Sequence, residues 1–390
     1  MPKPELNPLV DRLAPPPIPA VQVWARAYDG AHGPLIDLSQ AVPGYEPHRD
    51  LLDWLSQAAG APVLTGYGAI EGDEPFREAY AAHVSTLYGA DIGAASIHAT
   101  AGCNQAFVAA AMAVAGPGDA VLMTNPCYFN HETTLRMMGV EPRYVECLAE
   151  DDFMPRPDAV AAALTDGVKA LALVSPNNPT GAIYPPDLLA EMIAVCRRRG
   201  VWLILDETYR DFIAEAAAPH ALFAEPDWEH HLIQLYSFSK SFCIPGHRLG
   251  AITAGSEVVA AVAKIMDNLQ ICAPRAPQHA VARGLPALAG WRDDNRREIG
   301  RRAAAMRTES AAAAGWEIEA MGAYFAFVRH PFEDRDSPSV ARMLARDLGV
   351  VTIPGAYFGA GLDRFLRIAF ANVDTGQIGT VAERLRKVTG

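Results

Sequence analysis

In the stretch 236–250, YSFSKSFCIPGHRLG, a single lysine, Lys240, stands among three serines, and Arg248 follows beyond a Pro-Gly turn. A solvated surface lysine is the ordinary fate of that residue type. Here the neighbours are uncharged and an apolar strand pattern leads into them. A lysine delivered into a crevice loses its proton more readily, through burial and a nearby cation, and becomes a nucleophile toward carbonyls. Asp206 ends the run VWLILD (201–206). It serves either as a helix cap or as a buried anion that keeps a bound ring nitrogen protonated. Tyr209, three residues on, either packs or turns its phenol to the same ligand. SPNNPTG (175–181) is made of turn residues and presents the Asn178 amide at a strand end. ATAGCNQA (99–106) leads into a helix, where Gly102 and the first backbone N–H groups form an anion pocket suited to phosphate. Ser237 and Arg248 reach that pocket from the lysine's side, the arginine with a bidentate fork. Arg367 lies inside the apolar run FLRIAF (365–370), which points to paired recognition of a carboxylate. GYGAIEG (66–72) imitates a dinucleotide fingerprint, but its glycine spacing is wrong and no strand leads into it, so NAD is set aside.

These groups need a frame. Apolar strand patterns at 120–124, 142–146, 169–175, 201–206 and 232–237 alternate with helical patterns at 104–115, 131–138, 157–164 and 186–199, after a helix from about residue 74. Short, continuously apolar strands separated by helices predict a parallel sheet covered on both faces, with ligands outside the strands' carboxyl ends. Beyond residue 286 comes a long charged helix (291–313). Strands at 316–319, 324–329, 350–354 and 365–370 and helices at 337–348 and 375–388 then make an α+β unit. Residues 1–34 are a Pro-rich arm with one amphipathic stretch at 21–28.

Composition excludes several classes. The chain has 390 residues, half of them apolar, and a net charge of −12, with no long Lys/Arg run to neutralise phosphates. The triplet 197–199 is better placed as cations at a helix C-terminus than as a nucleic-acid patch. Six scattered cysteines show no C-x-x-C spacing, so neither a disulfide framework nor a zinc site is expected and no metal is assigned. No apolar run reaches the roughly 18 residues of a membrane span, and the N-terminus lacks a signal-peptide core. A cytoplasmic protein with no nucleic-acid or membrane partner is the expectation.

NPTG at 178–181, DExY at 206–209, SxSK at 237–240, GxRxG at 246–250 and Arg367 occur in an order and spacing that resemble the aspartate-aminotransferase family. These are pyridoxal-phosphate enzymes of fold type I, aminotransferase class I/II, and the likeness runs from about residue 35 to 380. The resemblance implies a large α/β domain with a mainly parallel seven-stranded sheet between helices, plus a smaller α+β domain. Its spans are 1–48 for the arm and part of the small domain, 49–285 for the cofactor domain, and 286–390 for the small domain. It implies that Lys240 anchors pyridoxal 5′-phosphate covalently and carries the proton at the substrate α-carbon. Asp206 then pairs with the pyridine nitrogen, and Asn178 and Tyr209 bond the phenolate oxygen. Tyr128, in NPCYFNH, stacks on the ring. Gly102, Cys103, Asn104, Ser237 and Arg248 hold the phosphate. Tyr67 reaches the phosphate of a partner subunit, which implies a homodimer with shared sites. Arg367 clamps the substrate α-carboxylate beside Asn178 and Ala41. Ala41 replaces the family's glycine, and its methyl narrows the pocket. No arginine aligns with the one that selects dicarboxylates in the family, Arg275 being only the nearest candidate, so a strict aspartate preference is not expected. The implied reaction is ping-pong transamination between an L-amino acid and a 2-oxo acid, in amino-acid metabolism and biosynthesis. A C–S lyase or an aminocyclopropane-carboxylate-synthase-like enzyme is the alternative on the same fold, since motifs at the cofactor do not separate them. A cofactor-bound regulator would need a DNA-binding domain, for which about 35 residues ahead of the shared region leave no room.

Overall fold

The computed structural model describes residues 4–214 and 218–388. The strands in chain order are β1 (Ile36–Asp37), β2 (Ile97–Thr100), β3 (Ala120–Asn125), β4 (Glu141–Glu146), β5 (Val168–Val174), β6 (Trp202–Asp206) and β7 (Leu232–Ser237). They continue with β8 (Gly250–Ala254), β9 (Glu317–Gly322), β10 (Phe325–Arg329), β11 (Val350–Val351), β12 (Ile353–Pro354) and β13 (Phe365–Ile368). Seven of them form one sheet in the order β2-β8-β7-β6-β5-β3-β4.

Burial explains why the central strands are apolar throughout. Successive residues of a strand face opposite sides. Leu171, Leu173, Leu203 and Leu205 pack into one core on one face, and Ala170, Ala172, Ile204 and Ile233 into a second core on the other. Helices cover both faces, so neither parity is left polar. Helix ends follow local chemistry. Pro opens the helices at 74–88, 157–163, 186–199 and 337–347 within the first two positions. Gly89 and Gly200 close two of them in the left-handed conformation. Asp374 and Gln377 make a reciprocal capping box for Thr375–Leu385.

β3, β4, β5, β6 and β7 run parallel to one another, as the sequence pattern predicts. β2 and β8, which that pattern does not reveal, are antiparallel to each other, and β8 is antiparallel to β7. The sheet is therefore mixed, and β2 points the same way as the parallel strands. The smaller sheet, β12-β13-β10-β9, is antiparallel, and β1 from the N-terminal segment pairs in parallel with β11. Among the described residues, no helix is long and apolar enough to cross a membrane, no cluster of three or more His, Cys, Asp or Glu could hold a metal ion, and the six cysteines are free.

Candidate active site

Five strand ends meet at one edge of the large sheet. Register aligns Val174 with Asp206 and Asp206 with Leu235, while Gly250 pairs with both Ser237 and Thr100. The segments that leave these strands therefore converge. Cys103, Asn104, Tyr128, Asn178, Asp206, Tyr209, Ser237, Lys240 and Arg248 all line a cavity of about 160 Å³. A second cleft of about 440 Å³ shares Tyr128, Asn178, Tyr209 and Lys240 with it and adds Ala41 and Arg367. Tyr67 stands apart, 80% exposed and outside both cavities.

Lys240 rides on the one-turn helix Phe238–Ser241, for which Ser237 Oγ accepts the Ser239 N–H at 3.3 Å. The remaining serines acquire tasks as well. Ser241 Oγ accepts from Tyr236 OH at 2.7 Å, which ties the turn to β7, and Ser239 lines the cavity. The Lys240 ammonium donates to the Ala41 carbonyl across the cleft. Burial, then the Arg248 and Arg367 guanidiniums, lower its pKa to about 8. Only the neutral amine is nucleophilic, so its reactivity should rise with pH to a midpoint near 8, against about 10.4 for an ordinary lysine. Pulse acylation of the cofactor-free protein, read at the Lys240 peptide by mass spectrometry, measures this. A midpoint above 10 would contradict the assignment.

Asp206 is buried. Burial pushes its carboxyl up, but the His131 imidazole and two bonds from Thr208 outweigh that, so it stays below the usual carboxylate range. Thr208 N–H and Oγ1 donate to Oδ1 at 2.9 and 2.7 Å, and His131 Nε2 lies 3.3 Å from Oδ2. The His131 ring is stacked on Phe107, with centroids 3.8 Å apart. The sequence reading missed both rings. His131 sits three residues after Tyr128, one turn along helix Phe129–Met137, and that spacing was the available signal. Glu207, next to Asp206 in the chain, faces the opposite side of the strand. There it accepts from Tyr88 OH at 2.5 Å and Gln234 Nε2 at 3.0 Å, with Arg210 and His220 close by. One residue of the DExY motif is thus a buried polar support rather than part of the cavity.

The helix Cys103–Val114 begins at Gly102, and no side chain caps it, so its first N–H groups lack intrahelical acceptors. Arg248, itself in the left-handed region, bonds the carbonyls of Pro245 and Ala101 at 3.0 and 3.1 Å. A Cβ on Gly102 would sit 2.0 Å from Arg248 Nη2, and its φ of +85° favours glycine as well. Burial, then Asp206, raises the Cys103 thiol well above its ordinary value, so that sulfur stays protonated beside the free N–H groups.

On the NPTG turn, Asn177 bonds Thr180 N–H and Oγ1, Val174 O and Tyr184 OH, which leaves the Asn178 amide facing the cleft. Asn178 Oδ1 accepts from Arg367 Nη1 at 2.9 Å, and Arg367 Nη2 donates to Ser39 O. Arg367 is buried over the Phe325 and Phe358 rings at 4.8 and 5.2 Å. Burial lowers its pKa to about 10, and among the described residues no carboxylate lies within ion-pair distance. Gly181 makes the close approach between the two sheets, where a Cβ would meet Phe325 O at 2.4 Å. Arg275 does not line the cleft. It pairs with Asp73 at 3.0 Å and bonds the carbonyls of Val63 and Gly66, steadying the loop that carries Tyr67.

A lowered amine, an ionised buried carboxylate, free helix N–H groups with an arginine beside them, and an aromatic wall form the donor set for a planar heteroaromatic aldehyde that bears a phosphate. Fold and site together define a pyridoxal-phosphate enzyme of fold type I. The family described as aminotransferase class I and II matches residues 33–385, and the chain belongs to that family. It is 28% identical to the aromatic aminotransferase ISS1 of Arabidopsis thaliana, over 90% of this chain and 89% of that one. It is 26% identical to an aspartate aminotransferase of Sulfolobus acidocaldarius, over 83% and 82%. In structure it resembles a Thermus thermophilus aspartate aminotransferase mutant with a TM-score of 0.90 and 24% identity, over 99% of this chain and 100% of that one. The protein is a transaminase that uses pyridoxal phosphate.

Proposed function

We propose that the residues at the sheet edge carry out transamination between an L-amino acid and a 2-oxo acid, each in a stated role. The supporting observation is that one cleft joins a lysine lowered to about 8 and a buried arginine that has no carboxylate partner among the described residues. Arg367 binds the substrate α-carboxylate, its plane set by Asn178 and Ser39. Lys240 Nζ accepts the proton from the substrate α-carbon and later returns one. Pyridoxal phosphate, when bound, supplies the electron-accepting ring conjugated to that carbon. Asp206, kept ionised by Thr208 and His131, holds the proton on the ring nitrogen. Asn178 and Tyr209 donate to the phenolate oxygen, and Tyr128 covers the ring. The backbone N–H groups of Cys103 and Asn104, the turn at Gly102, Ser237 and Arg248 hold the phosphate. Ala41 shapes the substrate end with its carbonyl and methyl.

The 1–48 arm, 49–285 domain and 286–390 domain are taken as the working units. Residues 1–3, 215–217 and 389–390 lie outside the described ones. A homodimer is part of the same reading, with Tyr67 presented outward for the partner's phosphate, as is work in cytoplasmic amino-acid biosynthesis.

The rival lyase chemistry is separated by stoichiometry. Holoenzyme mixed with a panel of L-amino acids should release about one oxo acid per site and continue only when a 2-oxo acid acceptor is added. Pyruvate and ammonia formed in excess without an acceptor would overturn transamination.

A further inference from the structure

A cavity of about 810 Å³ lies between the N-terminal arm and helix Phe129–Met137. Asn130, Thr133 and Arg136 recur at three-residue spacing along its helical floor, and the arm roofs it with Leu13, Pro16, Pro17 and Ala20. Pro16, Pro17, Phe129 and Asn130 also line the 440 Å³ cleft that holds Lys240 and Arg367. The two spaces therefore meet at the first turn of one helix, directly after Tyr128. From Asn130 to Arg136, six residues of helix carry the floor about 9 Å outward. Leu9, Leu13, Val140, Pro142 and Tyr357 make much of the wall apolar. Its charged residues, Arg12, Arg136, Glu132 and Glu141, are two of each sign, and Arg136 is paired with Glu132 at 2.8 Å. The chamber thus offers area to hydrocarbon and no net charge to a second carboxylate.

Resting on the reading that Arg367 holds the α-carboxylate, we propose that this chamber receives the distal part of an extended apolar substrate side chain, arylalkyl or long alkyl. An aspartate side chain ends inside the cleft. A chain of five or six carbons bearing a phenyl ring passes Phe129 and Asn130 and buries its far end under the arm.

The test uses holoenzyme and unreactive carboxylates, phenylacetate through 6-phenylhexanoate, titrated by calorimetry. Affinity should rise about three- to fourfold for each added methylene up to the longest acid. A rise that stops at 3-phenylpropanoate, with the short acids still binding, would overturn the chamber while leaving the carboxylate site standing. Failure of every acid to bind, phenylacetate included, would remove the Arg367 reading and this one with it. Thr133 is an exposed helix position, so Thr133→Trp narrows the chamber with little effect on core packing. The ratio of 6-phenylhexanoate to phenylacetate affinity should fall by at least about tenfold in that variant. An unchanged ratio would show that the gain arises elsewhere on the surface and would refute the proposal.

Discussion

Lys240→Ala is expected to lower transamination by at least about 10²–10⁴-fold, the range that a positioned acid or base contributes, with loss of the covalent anchor added to it. The fold should survive. Lys240 is only partly buried, and among the described residues its one side-chain bond goes to the Ala41 carbonyl. Truncation therefore removes the reactive amine and breaks only that bond. Borohydride reduction of the wild-type holoenzyme should trap the cofactor on the Lys240 peptide. The same treatment of the variant should trap none, while phosphate contacts still let it bind weakly. Adding a small primary amine should restore part of the proton transfer. A variant that retains more than about a tenth of the activity, or a trap on another lysine, would show that the amine acts elsewhere.

How much of this was legible in the sequence depended on what each element must bury. β5, β6 and β7 could be read because both faces of each are covered, which forces runs such as Leu171–Val174 and Leu203–Leu205. β2 and β8 escaped. IHAT and GAITA are short, carry His98, Thr100 and Thr253, and have the small residues that pack beneath helices. Yet β2 delivers the Gly102 turn, so one half of the proposed phosphate pocket was read without the strand that positions it. The helix Arg275–Ala287 was hidden by two prolines and a glycine, Pro277, Pro286 and Gly284. Residues whose types are scarce and whose positions follow strand ends, namely Lys240, Asp206, Asn178 and Arg367, were visible because an isolated polar group after an apolar run demands a reason. His131, Thr208 and Phe107 were not. His131 and Phe107 act on Asp206 through the fold, from two helices distant in sequence, and Thr208, only two residues on, looks like an ordinary turn residue. Glu207 shows the converse. It adjoins Asp206 in a motif, but the alternation of the strand sends it to Arg210, Tyr88 and His220 on the other face.

Arg367→Met should separate binding from stability. The guanidinium is buried on β13, stacked over two phenylalanine rings, and its Nε has no partner among the described residues. Its two bonds end on Asn178 Oδ1 and Ser39 O; Asn178 also lines the cleft, where water can replace the lost donor. Burial already works against the charge, as the drop to about 10 indicates. An apolar side chain of similar length therefore removes a cost as well as two hydrogen bonds, and the melting temperature should change by no more than the few degrees that about 1 kcal/mol gives. Carboxylate recognition has no such compensation. Loss of a desolvated, bidentate partner costs about 2–5 kcal/mol, which corresponds to roughly 30- to 5,000-fold in kcat/KM. The loss should appear mainly in KM for amino acids, and a primary amine that lacks a carboxylate should react equally with both proteins. Arg367→Lys should restore little, since a point ammonium cannot reproduce the fork. If the variant instead melts many degrees lower and keeps its KM, Arg367 is a structural strut and the carboxylate is held elsewhere.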